Sequence, residues 1–216
     1  LEAGLAKAAA AGTNVGKLAL DALAKSGEDA AAFDITLRSQ EIYARVDNIG
    51  YQFAFQLGVL DRQLYNWDPG MPISETNTPE LKSRITYLQV GPLAMITSPG
   101  ELHPELWVGG YDGSWSWGQN ILTEVQNAPD LTMAPKGPYL RDIMLSNPNV
   151  KYAFCAGLAE DFIGYILPAF NYVLDAQNPY FVEAEGDHYE ETNSVGPKVE
   201  EQVHHPMLDL AKPPVK

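Results

Sequence analysis

A carboxylate and two phenols stand at turns where they could meet a metal or a substrate. Glu101 follows Ser98-Pro99-Gly100, directly after the apolar run Leu93-Ala94-Met95-Ile96-Thr97. Pro-Gly ends a strand sharply, which holds the acid on a tight turn at a sheet exit, a place that active-site groups often take. The same place also suits a solvated loop acid. Tyr165 closes a second string, Gly157-Leu158-Ala159-Glu160-Asp161-Phe162-Ile163-Gly164-Tyr165, which follows the apolar run Val150–Cys155. A phenol binds a metal as phenolate, so its ordinary pKa near 10 must fall; a half-buried core aromatic is its plainer role. Asp187-His188-Tyr189-Glu190-Glu191 gathers hydrogen-bonding side chains, and it reads either as a site element or as a polar loop capping the last helix. His103, two residues past Glu101, is either a ligand or an ordinary loop histidine.

Several familiar chemistries have no signature here. The chain has no His-Glu-x-x-His helix, phosphate loop, Gly-x-Ser-x-Gly elbow or paired Cys-x-x-Cys. His204 and His205 are adjacent on an expected helix, so they point about 100° apart and cannot easily share one metal. Cys155 is the only cysteine, which rules out an internal disulfide. Its apolar surroundings suit a buried structural thiol rather than a nucleophile.

Taken in order, three strings resemble the later half of the catalytic domain of the neutral/alkaline ceramidases, which are zinc amidases. The hairpin ending in Pro99-Gly100-Glu101 is similar to one whose glutamate binds zinc in that family. Gly157-Leu158 through Gly164-Tyr165 resembles an element whose terminal tyrosine is also a zinc ligand. Tyr189-Glu190-Glu191-Thr192-Asn193-Ser194-Val195-Gly196-Pro197 resembles an element near the substrate carbonyl. The run Val46-Asp47-Asn48 looks like the family's middle segment. The departures are specific. The family's two His ligands and its catalytic-site serine lie upstream of anything in this chain. A family asparagine is Glu160 here. The stretch between Glu101 and Tyr165 is longer than in familiar members.

The resemblance implies a zinc-dependent amide hydrolase acting on ceramide or a related N-acyl lipid. Its metal ligands in this chain would be Glu101 and Tyr165, with two His ligands expected from outside. Tyr189 would stabilise the oxyanion. Asp161 and His188 would support the ligands, and Trp107, Trp115 and Trp117 would line the substrate entrance or dip into a lipid surface. The partners implied are the N-acyl lipid and the missing upstream half of the domain, or a partner chain supplying it. The location implied is extracellular or periplasmic. The alternative is a non-catalytic ceramidase-like structural or assembly protein.

These residues need elements to position them. Residues 2–10 are Ala-rich and helical. A second helix is expected from Thr13 or Asn14, with Val15, Leu18, Ala19, Ala22 and Leu23 as one buried stripe. Residues 35–42 alternate as a strand, and 46–58 return to helical spacing. The prolines and few apolar residues of 66–80 mark a loop. Ile85–Val90 and Leu93–Thr97 form a hairpin through Gly91-Pro92. If Leu93–Thr97 and Val150–Cys155 are neighbours in one sheet, Glu101 and Tyr165 exit at one edge and meet. Residues 107–149 read as a loop-rich insertion, 198–212 as a last helix kinked at Pro206, and 212–216 as a tail. The expected fold is mixed α/β, a sheet flanked by helices, with residues 1–216 as the C-terminal part of a single ceramidase-like catalytic domain.

Composition sets outer limits. The chain has 216 residues, 45% hydrophobic and 19% charged, as in ordinary globular proteins. Fourteen basic against 28 acidic side chains leave a net charge of −14, the wrong sign for a nucleic-acid surface. No run of about 18 apolar residues marks a membrane span. The chain begins Leu1-Glu2-Ala3 with no initiator Met and no signal peptide, so an earlier natural start is expected.

Overall fold

The computed structural model describes residues 2–26, 33–111 and 126–214. The chain divides into two compact units, with the boundary after Phe33. The first contains α1 (Glu2–Ser26), one uninterrupted helix. The expected break at Thr13 or Asn14 does not occur. Thr and Asn inside a helix cost only tenths of a kcal/mol, and the Ala-rich flanks carry the helix across them. Nor is the expected stripe buried: Val15, Leu18 and Leu23 are exposed. Their spacing gives them a common face, but among the described residues of its unit α1 has no second layer to bury that face.

The second unit is built on a four-stranded mixed sheet. β1 (Ile35–Arg45) pairs antiparallel with β2 (Glu80–Val90), and β2 with β3 (Leu93–Thr97) across Gly91-Pro92. Between β1 and β2 lies α2 (Ile49–Gln56). After β3 come the two-residue β4 (Glu101–Leu102), α3 (Pro104–Val108) and α4 (Leu140–Leu145). β5 (Tyr152–Ala156) then returns parallel to β3, giving the order β1-β2-β3-β5. A second small sheet pairs β4 with β6 (Tyr165–Ile166). The chain continues through α5 (Tyr189–Thr192), a π-helical turn at Glu200–His204 and α6 (His205–Ala211). Pro206 has no N–H to continue an α-helical ladder. The widened turn just before it is the irregularity expected at that residue.

Strand alternation gives the sheet two faces. Ile42, Ala44, Leu81, Ile85, Tyr87, Ala94 and Ile96 point to one face and are buried there with Leu106, Leu140, Met144, Val203 and Met207 from the helical layer. The stretch read as an irregular insertion therefore contributes α4 to the core. The other face carries two registered apolar rows, Leu37–Leu88–Met95–Phe154 and Ile35–Val90–Leu93–Tyr152. Five of these eight side chains (Ile35, Leu37, Leu93, Tyr152 and Phe154) are exposed.

Candidate functional site at the paired strand exits

The exits of β3 and β5 run side by side because the strands are parallel neighbours, and backbone hydrogen bonds close the gap between them. Ser98 N–H donates to the Ala156 carbonyl at 2.8 Å, Ala159 N–H to Ser98 at 3.0 Å, Leu158 N–H to Gly100 at 3.1 Å, and Ile163 N–H to Pro99 at 2.9 Å. This lacing ends in the β4–β6 pair, where Glu101 is the register partner of Tyr165. The contact admits no side chain at two positions. A Cβ on Gly100 would come within 2.2 Å of the Gly164 carbonyl oxygen. Gly164 has φ +90°, and a Cβ there would meet the Asn193 carbonyl oxygen at 2.2 Å. The third segment is tied in through Tyr165 N–H, which donates to that same Asn193 carbonyl at 3.1 Å.

Glu101 and Tyr165 thus meet side chain to side chain, despite their separation in sequence. Burial, and after it the adjacent Glu101 carboxylate, raise the Tyr165 phenol above its ordinary range. Without a metal the phenol keeps its proton and directs it to the carboxylate. The Tyr189 ring stands edge-on to Tyr165, with centroids 5.9 Å apart and planes at 78°. Tyr189 is half exposed, and Glu190 lies within electrostatic reach of Tyr165. Beside Glu101 opens a cleft of about 370 Å³, walled by Leu102, Pro104, Trp107, Ala153, Phe154 and Cys155. Trp107 packs partly against the core and partly into this cleft. Burial pushes the Cys155 thiol up to about 12, so it serves as wall rather than nucleophile. Trp115 and Trp117 lie outside the described residues.

The residues expected to support the site have clear attachments. Asp161 forms a two-pronged ion pair with Arg62, with Nη1–Oδ1 at 2.8 Å and Nη2–Oδ2 at 2.5 Å. Burial is the largest single influence and opposes its charge, but the hydrogen bonds it accepts, from Arg62 first, together with the Arg62 charge outweigh this and hold the carboxyl below its usual range. Arg62 also donates to the Lys82 carbonyl at 2.9 Å, so the pair ties the Tyr165 loop to β2. His188 is buried, and both ring nitrogens are engaged: Nδ1 with Glu191 Oε1 at 2.9 Å and Nε2 with the Gln126 carbonyl at 3.2 Å. It touches neither Glu101 nor Tyr165 through these bonds. It anchors the start of α5, the helix that carries Tyr189. His103 pairs with Glu105 at 2.5 Å. His204 and His205 diverge: His204 is buried against the Leu106 carbonyl, while His205 is exposed.

Two residues that hold the site escape a motif search. Asn48 is buried and caps α2, accepting from Tyr51 N–H at 3.1 Å. Its amide donates to the Thr192 and Ser194 carbonyls at 3.0 and 2.8 Å. Tyr51 Oη donates to the Asn193 carbonyl at 3.0 Å. Together they clamp α5 beside Tyr165. The available signal is an Asn just ahead of a helical run, which predicts a cap; nothing local predicts what else it would hold.

The donor set fits part of a zinc site. Zinc accepts carboxylate oxygen, and a carboxylate and a phenol facing each other on register partners can converge on one ion. Among the described residues no three His, Cys, Asp or Glu side chains come together to hold a metal. Further ligands would therefore come from outside these residues. Among the described residues no helix is long and apolar enough to cross a membrane. No family model, curated protein or solved structure matches the chain.

Proposed function

We propose that this chain is the C-terminal part of a zinc-dependent amide hydrolase of the ceramidase kind, acting on ceramide or a related N-acyl lipid. The upstream half of the domain would supply two His ligands. The observation that carries this reading is the β4–β6 register, which sets Glu101 directly opposite Tyr165. These are the two residues that the resemblance nominates independently as ligands.

A zinc ion held there would polarise the amide carbonyl and lower the pKa of a bound water. The chain's own groups supply the rest. Glu101 and Tyr165 would hold the ion as carboxylate and phenolate, the phenol proton leaving to solvent. The Tyr189 hydroxyl, whose half-exposed ring packs beside Tyr165, would donate to the amide oxygen as charge develops on it. The apolar walls of the Glu101 cleft, Trp107 and Phe154 among them, receive a hydrocarbon chain and exclude water from it. Asn48 and Tyr51 keep Tyr189 in place. The exposed apolar rows on the sheet's second face support the need for further protein, since a patch of that kind ordinarily meets a partner.

The test uses the chain joined to its upstream half. Zinc per molecule and hydrolysis of an N-acyl sphingoid lipid are measured for the wild type, Glu101→Gln and Tyr165→Phe. One tightly held zinc and hydrolysis in the wild type, both lost in the variants with melting unchanged, support the proposal. Hydrolysis that survives both substitutions rejects the site. The second reading, a non-catalytic relative with a structural or assembly role, rests on there being only two convergent donors among the described residues. A joined protein that binds no zinc would favour it.

A further inference from the structure

The four-stranded sheet has two edges, β1 and β5, and they are built differently. Alternate residues of an edge strand turn their backbone N–H and C=O away from the neighbouring strand. On β1, the bonds from Gly91 N–H to the Asp34 carbonyl and from Val46 N–H to the Pro79 carbonyl put the even-numbered residues toward β2. The outward groups belong to the odd-numbered residues, Leu37 and Ser39 among them. On β5, Tyr152 N–H donates to the Pro92 carbonyl at 3.0 Å, and Ser98 N–H donates to the Ala156 carbonyl at 2.8 Å. Tyr152, Phe154 and Ala156 thus face β3, while Ala153 and Cys155 turn their N–H and C=O outward. Among the described residues these outward groups have no hydrogen-bond partner. Both residues line the Glu101 cleft.

The two edges also differ in what guards them. β1 carries Arg38, Glu41 and Arg45. Gln202 Oε1 takes the Arg45 N–H at 2.8 Å, and Arg38 donates to the Lys212 carbonyl at 2.8 Å, which ties Lys212 to this strand. Charged side chains and covering segments keep an edge from taking a further strand. β5 reads Tyr152-Ala153-Phe154-Cys155-Ala156, with no charge, no proline and an unbroken register. It is parallel to β3, and parallel pairing is ordinarily found with both faces covered. Yet Tyr152 and Phe154 are about half exposed. β5 has the make-up of an interior strand and stands at an edge.

We propose that the β5 edge receives one further strand, supplied by the upstream half of the protein and hydrogen-bonded to Ala153 and Cys155. The source rests on the hydrolase reading above. β5 leads into the Tyr165 loop, so this edge lies beside a site that needs polypeptide from outside these residues. The added strand would run about 4.8 Å from β5. It would take the β5 side of the cleft and leave the side walled by Leu102, Pro104 and Trp107 open next to Glu101.

The experiment uses the chain joined to its upstream half, isotope-labelled for NMR. Amide exchange at Ala153 and Cys155 is expected to be about a hundredfold slower, or more, than at Leu37 and Ser39, the outward amides of β1. Amide-to-amide NOEs from Ala153 and Cys155 should fall on upstream residues. Exchange as fast as at Leu37 and Ser39 overturns the proposal. So do NOEs to residues of 1–216 other than β3, or NOEs that appear only between differently labelled copies, because the strand then comes from this chain or from a second molecule. Proline gives a second readout, since at these positions it removes an outward N–H and leaves the bonds to the inner neighbour intact. Ala153→Pro should lower the melting temperature by about 5 °C or more, and Ser39→Pro by no more than about 2 °C. Equal losses also overturn the proposal. Failure here is separable from failure of the zinc reading, which is judged from zinc retention in Glu101→Gln and Tyr165→Phe.

Discussion

Glu101 with Tyr165 and Glu191 with His188 are both acid–partner pairs, and the fold treats them in opposite ways. Glu101 is exposed at the lip of a cleft, and its partner is only partly covered. Glu191 and His188 retain only 1% and 2% of their exposure. Burial raises the Glu191 carboxyl above its usual range, although the His188 hydrogen bond opposes the shift. The Gln126 carbonyl can only accept, so His188 Nε2 carries a proton. The His188–Glu191 contact then needs one further proton, on either partner. Glu191 Oε2 is buried without a hydrogen bond among the described residues. A pair closed on all sides holds the chain together, whereas a pair open to a cleft can exchange its partner for a ligand. The two pairs therefore differ in burial far more than in the kinds of side chain they contain.

The sharpest test of this contrast is His188→Ala. It leaves a buried carboxyl without its side-chain partner and should lower unfolding stability by about 3 kcal/mol, read from a denaturant midpoint. A loss no greater than that of Glu101→Gln would remove the contrast.

His204 asks whether burial acts in the same way without a carboxylate partner. Its Nε2–H donates to the Leu106 carbonyl and its Nδ1 has no hydrogen bond among the described residues. Burial lowers its pKa to about 4. Between the ordinary value near 6.5 and about 4, the unfolded chain binds the proton and the folded chain does not. Stability from this group is complete above about 6.5 and is lost as pH falls through that window, by about 3 kcal/mol in all. Glu191 has the opposite sign: its raised folded pKa favours the folded state below the ordinary carboxyl value and loses that contribution as pH rises through the raised one. His204→Phe should flatten the acid limb of a melting-temperature profile, and an unchanged slope would show that the ring is not buried neutral.

Asn48→Ala removes a helix cap and two buried hydrogen bonds to the α5 segment, for about 2 kcal/mol. Because Asn48 positions α5, it should also change the fluorescence of Tyr189 relative to a Tyr189→Phe control. A stability loss with no such change would confine Asn48 to capping. A smaller gain is expected from Glu160→Asn. Glu160 has φ +71°, a left-handed conformation that Asn adopts more readily. The substitution should add about 0.5 kcal/mol, less whatever is lost with the bond from the Thr97 hydroxyl at 3.0 Å. A net loss would make that bond the stronger influence. The smallest shift belongs to Glu101→Gln, within about 0.5 kcal/mol for an exposed side chain. A larger cost would mean that Glu101 is a structural acid like Glu191.

What the amino-acid sequence determined by itself was local and geometric. Gly91-Pro92 sets the hairpin, and Pro99-Gly100 ends β3 and leaves Glu101 on the turn. The alternation in β2 assigns its buried face, and Pro206 marks the irregular turn in the last helix. Each of these depends on φ limits or on the period of neighbouring residues, which a few positions encode. The meeting of Glu101 with Tyr165 could be reasoned from two apolar runs, but it needed β3 and β5 to be parallel neighbours, and pairing is a long-range choice. Tertiary structure alone decided that the stripe on α1 stays exposed, because amphipathic spacing creates a face without providing its cover. It also decided that His188 is closed off by Glu191 and the Gln126 carbonyl, and that Asn48 reaches from an N-cap to α5. The same holds for the apolar cleft beside Glu101: it is a space between segments distant in sequence, and their packing fixes its volume and lining.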